Sequence, residues 1–240
     1  MKKKVLCIIP ARGGSKGLKL KNLRKINGKP LIYYPIKAAI ESKVCDKIFV
    51  STDSKKIAKV AKNFGADVPF LRKKIFSGDM VTTESTLKNA LLEYESFYNT
   101  KFDICVFLTA TNIFRKISWI KESVKILKKN DKYDSAFSVH KIYKHFWHYK
   151  NKKLEKVSKW MKSYTSRQIG AKLYREDTGL ACATRSKFWR KGKRIGKKVY
   201  LIINEDSLTG IDIHNIHDLK LAEMAMRYIK KNRLNKDMVT

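Results

Sequence analysis

The sequence predicts an α/β domain built on a doubly wound, mostly parallel sheet. Three observations carry this expectation. Short, wholly apolar runs of strand length recur along the chain. Stretches with apolar residues at helical spacing stand between them. The runs end at loops rich in glycine, proline and hydroxyl residues. A strand buried on both faces reads as continuous apolar sequence, which is what a parallel sheet under two helix layers requires. A length of 240 residues suits one such domain.

Each element has its own signal. Residues 5–9 form an apolar run that stops at Pro10. Residues 10–30 hold Gly13, Gly14, Gly17, Gly28 and Pro30 and read as a long loop. Residues 31–42 have helical periodicity. Residues 47–50 read as a strand ending at Ser51, Thr52 and Asp53, and Ser54 is placed to cap a helix running to about Phe64. Residues 68–71 read as a short strand. Thr82 or Thr83 opens a helix with Leu87, Ala90, Leu91, Tyr94 and Tyr98 on one face. Residues 104–108 form a second buried strand, and Ile117, Ile120, Val124 and Leu127 follow at helical spacing. Strands are expected at 135–139, 179–184 and 199–203. Asn215 caps a last helix, with Asp218 at the capping-box position. The stretch 140–176, dense in aromatics and lysines, breaks the alternation and reads as a β-rich excursion. Its His140, His145 and His148 lie in an irregular segment that fixes no ligand geometry.

Composition narrows the function. With 54 Lys+Arg against 21 Asp+Glu, the formal net charge is +33. Hydrophobic residues at 43% can build a core, so the chain is not a disordered polycation. No apolar run reaches the roughly 18–20 residues of a membrane span. Residues 5–9 are also too short for a signal-peptide core of about 7–15 residues, which predicts a cytoplasmic protein. Lysines outnumber arginines about four to one and are spread along the chain. Base and phosphate recognition favours the arginine fork, so this charge reads as a solvated lysine surface rather than a nucleic-acid face. Cys7, Cys45, Cys105 and Cys182 have no zinc-knuckle spacing and read as free thiols.

The loop after the first strand concentrates chemistry. Gly13 and Gly14 let the backbone approach a ligand, and Arg12, Lys16, Lys19 and Lys21 supply four cations, which suits a triphosphate; a flexible basic loop is the other reading of the same residues. The loop fits neither the Walker pattern nor the dinucleotide GxGxxG pattern.

The run IIPARGGSKG from Ile8 to Gly17, followed by Lys21 and Asn22, resembles the N-terminal signature of the acylneuraminate cytidylyltransferase family. That family comprises the CMP-sialic acid synthetases and their legionaminic and pseudaminic acid relatives. VSTDS from Val50, VPFLR from Val68 with Asp79, Thr82 and Thr83 beyond, and GIDI from Gly210 are similar to three further blocks in the same order. The resemblance covers nearly the whole chain. It implies a nucleotide-diphospho-sugar transferase-like fold spanning 1–240 as one domain, with 140–176 as an inserted dimerisation arm.

It also implies an activity: transfer of CMP from CTP to a 2-keto-3-deoxy acidic sugar, with Mg²⁺ and a homodimer. Ala11, Arg12, Gly13, Gly14 and Ser15 are implied to cradle the nucleotide, and Arg12 and Lys21 to face the triphosphate. Asn22, Arg72 and Thr83 are implied at base or ribose. Asp212 matches the first carboxylate of the family's Asp-x-Asp metal motif, but His214 stands at the second position. Imidazole suits Mn²⁺ better than Mg²⁺, so His214 is a weaker candidate ligand. The family's Leu-Gln-Pro-Thr-Ser-Pro-Leu-Arg segment is here LTATNIFR from Leu108 to Arg115. Thr109 thus replaces a glutamine on the wall where the family meets its sugar, and Thr111 is retained. Arg167 and Lys141 of the arm are candidates for the sugar carboxylate. Two other readings stand behind this one: a non-catalytic basic binder of nucleic acid or anionic surfaces, and a cytidylyltransferase for an eight-carbon keto-deoxy acid.

Overall fold

The computed structural model describes residues 3–143, 146–157, 173–232, 234 and 237–240. Strands β1 (Val5–Pro10), β2 (Lys25–Ile26), β3 (Lys29–Pro30) and β4 (Lys47–Ser51) come first, with helix α1 (Tyr33–Ser42) between β3 and β4. Helices α2 (Lys55–Asn63) and α3 (Thr83–Phe97) precede β5 (Ile104–Phe107) and α4 (Ile117–Lys129). Then come β6 (Ser135–Ile142), β7 (Trp147–Lys150), β8 (Lys153–Lys156), β9 (Leu173–Glu176) and β10 (Cys182–Arg185). Helix α5 (Ser186–Arg190), β11 (Val199–Asn204) and α6 (Ile216–Lys231) complete the chain.

The central sheet runs β4-β1-β5-β10-β6-β11, with β9 pairing β6 beside this path. β1 is parallel to β4 and β5, and β11 is parallel to β6. β10 is antiparallel to both its neighbours, so β6 and β11 regain the direction of β5. The sheet is therefore mostly parallel, with β10 and β9 reversed.

Alternation along β1 explains why its apolar run is unbroken. Val5, Cys7 and Ile9 point into a core shared with α1, α2, α4 and α6. Leu6 and Ile8 point into a second core with Leu87, Leu91 and Tyr94 of α3 and Trp189 of α5. Both faces are buried, and each fully buried Ile or Leu contributes about 1.5–3 kcal/mol. Truncating Ile8 to Ala would cost about 2–5 kcal/mol. Cys7, Cys105 and Cys182 are buried free thiols, while Cys45 is half-buried.

Helix starts follow their caps. Ser54 Oγ accepts from the Ile57 amide at the start of α2, and Thr82 Oγ1 accepts from the Ser85 amide at α3. At α6, Asn215 Oδ1 accepts from the His217 and Asp218 amides at 2.8 and 3.0 Å. Asp218 Oδ2 accepts in return from the Asn215 amide at 3.0 Å, completing the expected capping box.

Two expectations change. Residues 68–71 form no ladder; the chain makes one parallel bridge, Phe49 to Asp67, and then peels away. Pro69 has no N–H to continue a ladder, and the Arg72 amide turns to Thr52 O at 2.8 Å. The loop 10–30 is more structured than its glycines suggest. It holds a short 3₁₀ turn (Lys21–Leu23) and the two-residue ribbon of β2 and β3. The excursion after residue 140 is β-rich where described: β6 runs on to Ile142, β7 and β8 make a hairpin, and β9 returns antiparallel to β6. No helix among the described residues is long and apolar enough to cross a membrane.

Candidate active site

The carboxyl ends of β1, β4 and β5 and the segment after β11 converge on one edge of the sheet, where open α/β sheets place their ligands. The loop after β1 is fixed by three tethers. Ala11, buried, donates its amide to Ser51 O at 2.9 Å, and the Gly13 amide donates to Asp53 Oδ1 at 2.7 Å. Asn22, also buried, donates from Nδ2 to Arg12 O at 2.9 Å. Gly14 is exposed, and a Cβ there would meet no atom within 4 Å; Ser15 follows it on the same loop.

The same loop docks on the far end of the sequence. A Cβ on Gly17 would sit 2.5 Å from the His214 carbonyl oxygen. Gly17 has no positive φ, so this close approach is what requires glycine. The contact joins the loop that carries Lys21 to the segment that carries Asp212.

Electrostatics report the same proximity. Burial pushes the Lys21 ammonium below the ordinary lysine value; Asp212 raises it and Arg12 lowers it further. Arg72 is 6% exposed, and its Nε and Nη2 atoms are buried without a hydrogen-bond partner. Burial lowers its affinity for its proton, Asp53 raises it and Arg12 lowers it. A buried guanidinium with unpaired donors is costly, so Arg72 is built to meet an acceptor that the described residues do not supply. It faces a cavity of about 300 Å³ that Arg12, Asp79, Thr83, Phe107 and Thr109 also line. Thr82 takes the helix cap of α3, which leaves Thr83 to that cavity wall. Arg12 Nη2 lies 2.8 Å from Asp79 Oδ1, and Lys16 Nζ lies 2.7 Å from Asp79 Oδ2.

On the opposite wall, Thr109 Oγ1 donates to Asn112 Oδ1 at 2.6 Å and lies 3.3 Å from Gly179 O. Behind it Arg115 is wholly buried and donates to the carbonyls of Leu180 (2.9 Å), Thr109 (2.5 Å) and Gly179 (3.0 Å). Burial, partly offset by Cys7, pushes its guanidinium down to about 9. Arg115 thus clamps the Thr109 loop to the turn before β10. The Thr111 carbonyl accepts from the Ile213 amide at 3.2 Å, which ties this loop to the Asp212 segment.

Asp212 Oδ2 is 3.0 Å from His214 Nε2, while its Oδ1 is buried with no hydrogen-bond partner. Among the described residues no group of three or more His, Cys, Asp or Glu is gathered to hold a metal ion. Lys141, on β6, is not among the residues lining the cavity, and its Nζ is 2.7 Å from Glu205 Oε1. Arg167 lies outside the described residues.

Three participants have no role that the sequence alone reveals. Asp53 and Asp79 lie within or beside the blocks that resemble the family's, and their acidity inside basic segments is the available signal. Arg115 matches the arginine that ends the family's segment, but its burial and its bonds to three carbonyls show only in the structure.

A sequence model of the cytidylyltransferase family matches residues 6–231. The post-translational flagellin modification protein B of Campylobacter coli is 31% identical over 235 residues, 97% of this chain and 98% of that protein. The CMP-N,N'-diacetyllegionaminic acid synthase of Legionella pneumophila is 42% identical over 125 residues, 52% of this chain and 53% of that protein. A solved CMP:2-keto-3-deoxy-manno-octonic acid synthetase complexed with CTP shares the fold, with a TM-score of 0.68 at 15% identity, covering 94% of this chain and 99% of that one. The motif order, the convergence of those motifs on one sheet edge and the near full-length match lead to one conclusion: the chain belongs to the cytidylyltransferase family, enzymes that use CTP as a nucleotidyl donor.

Proposed function

We propose that the protein transfers CMP from CTP to the anomeric hydroxyl of a nine-carbon 2-keto-3-deoxy sugar acid and releases pyrophosphate. The observation that carries this reading is a cavity lined by Arg12 and the unpaired buried guanidinium of Arg72, with Lys21 and Asp212 paired electrostatically beside Arg12. Relatives named for N,N'-diacetyllegionaminic, pseudaminic and N-acylneuraminic acids support the sugar class, each aligned over about half of this chain.

In the reaction the sugar oxygen attacks the α-phosphorus, the bond to the bridging oxygen of the β-phosphate breaks, and the hydroxyl proton passes to solvent or base. Negative charge grows on the leaving pyrophosphate. Arg12 and Lys21 face that charge; fixed cations in a partly dry site stabilise it without reorganising. Gly14 and Ser15 offer close approach to the phosphates, while Ala11 and Gly13 hold the loop through their bonded amides. Arg72, Thr83 and Asn22 line the nucleoside side. Thr109 and Thr111 form the sugar wall, with Lys141 and Arg167 as the arm's candidates for the sugar carboxylate. The arm 140–176 is the proposed homodimer contact.

The donors present fit a divalent cation. The Asp212 Oδ1 atom is unpartnered, and Mg²⁺ is usually held by one or two carboxylates together with substrate phosphates rather than by a protein cage. Bound there, Mg²⁺ would supply charge neutralisation of the phosphates. His214 bonds Asp212 and so orients that carboxylate; direct ligation by its imidazole would favour Mn²⁺ over Mg²⁺.

The test is pyrophosphate release from CTP with Mg²⁺ and a panel of acids: N-acetylneuraminic, N,N'-diacetyllegionaminic, pseudaminic and an eight-carbon keto-deoxy acid. Release with a nine-carbon acid supports the reading. Release with the eight-carbon acid alone, or with none, overturns it.

A further inference from the structure

We propose that Asp79 sets the affinity of the site for polyphosphate by competing with it for Arg12 and Lys16. The proposal rests on the reading above, in which Arg12 faces the triphosphate. The carboxylate gives one oxygen to each cation, Oδ1 to Arg12 Nη2 at 2.8 Å and Oδ2 to Lys16 Nζ at 2.7 Å, as two oxygens of one phosphate would. Asp79 lines the same cavity as Arg12, Arg72, Thr83 and Thr109, so its bridge lies at the site and not behind it.

The surroundings of Asp79 hold it loosely. Its side chain is 39% exposed, Lys16 is 82% exposed, and the neighbouring Met80 is almost wholly exposed. Gly78 before it has room to spare: a Cβ there would find its nearest neighbour, Val81, at 3.7 Å. The bridge can therefore break locally without unpacking the core. Arg12 also lowers the proton affinity of both Lys21 and Arg72, so it repels each of them.

The consequence is an exchange. A polyphosphate brings enough charge to displace one carboxylate; a neutral nucleoside brings none. As pyrophosphate leaves, the carboxylate reclaims Arg12 and Lys16, so the cations that stabilised the leaving group do not retain it. Asp79 is in this sense a positioning and release residue, acting through two cations and not on the reacting atoms.

Each exposed pair of this kind alters an equilibrium by about 1.4- to 5-fold, so losing both predicts about two- to 25-fold tighter binding. Calorimetry on the full chain with CTP, inorganic pyrophosphate and cytidine measures this for Asp79→Asn. The expected result is tighter CTP and pyrophosphate, unchanged cytidine, and a smaller gain when Lys16→Gln is added. A lower KM for CTP without a matching rise in kcat separates competition from a structural role. Unchanged or weaker CTP and pyrophosphate binding overturns the proposal, as does an equal gain for cytidine. If CTP binds neither protein while pyrophosphate tightens, the cytidylyltransferase reading fails and the role of Asp79 stands. Asp79→Ser removes the same carboxylate and decides the matter if the amide variant folds poorly.

Discussion

Gly17→Ala is a small change with a large expected effect. The new methyl carbon would lie 2.5 Å from the His214 carbonyl oxygen, 0.9 Å short of the 3.4 Å at which ordinary van der Waals contact begins. The carbonyl cannot easily retreat. The Ile213 amide is bonded to Thr111 O, the Ile213 side chain is fully buried, and the His214 amide is bonded to Asp218 Oδ2 at 2.8 Å. The exposed Gly17 loop must move instead, and Lys21 lies four residues along it. Displacing the loop by most of an ångström separates Lys21 from Asp212. Misplacements of about 1 Å cost on the order of 100-fold in rate. We expect kcat/KM for pyrophosphate release to fall about 10- to 100-fold, or about 1.4–2.7 kcal/mol of transition-state stabilisation. The neighbouring Leu18 is buried in the core, so the loss of stability in a urea melt should be about 1–3 kcal/mol. Gly14→Ala is the contrast: no protein atom lies within 4 Å, so its melt should match wild type, and any change in CTP affinity reports ligand approach. Activity within threefold of wild type in Gly17→Ala would refute the claim that this contact sets the geometry of the site.

Further predictions concern other parts of the structure. Arg12→Ala should lose at least about tenfold in turnover, roughly 1.4 kcal/mol or more, in the same assay. Thr109→Gln should leave the KM for CTP unchanged and shift the kcat/KM ratio between two sugar acids at least about fivefold, since one methylene in a pocket alters selectivity by roughly 10- to 200-fold at most. Glu95, buried, is gripped by Arg190 and Lys101 and by the Phe102 amide. Burial pushes its carboxyl up, but the hydrogen bonds from Arg190, the Phe102 amide and Lys101 outweigh this and leave it below the usual range. Glu95→Gln should cost about 2–3 kcal/mol at neutral pH, less than a fully buried pair because Arg190 is partly exposed. A depressed carboxylate stabilises above the unfolded value of about 4.3 and loses that contribution as pH falls through the folded value. The difference between wild-type and Glu95→Gln melts should therefore shrink on acidification below about pH 4.

Local periodicity made most of the framework legible. Val5 to Ile9 alternate between two cores, and a strand buried on both faces has no choice but to be apolar throughout. Caps at Ser54 and Asn215, and one at Thr82 or Thr83, were readable because a cap acts within four residues; the structure gives the last to Thr82. Strand direction was not readable: the run before Arg185 has the same apolar character whether β10 runs parallel or, as it does, antiparallel. Nor did residues 68–71 reveal that Pro69 would end their pairing. In the site, the sequence marked cations by type but could not show what they meet. The bridge from Arg12 and Lys16 to Asp79 and the contact of Gly17 with His214 join residues far apart in the chain. No short-range pattern encodes such distances. Arg115 shows the converse: a charged residue by type, it is fully buried and donates to the Thr109 carbonyl and to the Gly179 and Leu180 carbonyls at the turn before β10.

The charge of +33 takes its meaning from this site. Arg12 and Arg72 line the cavity, Lys16 and Lys21 stand on the loop after β1, and carboxylates at Asp53, Asp79 and Asp212 temper these four cations.

The most direct test of the central claim is phosphorus NMR of CTP incubated with the protein, Mg²⁺ and N,N'-diacetyllegionaminic or pseudaminic acid. The triphosphate signals should disappear, with equal amounts of pyrophosphate and one new phosphodiester, in a reaction that needs the sugar acid. Unchanged CTP with every nine-carbon acid, or hydrolysis to CMP without a sugar phosphodiester, would contradict it.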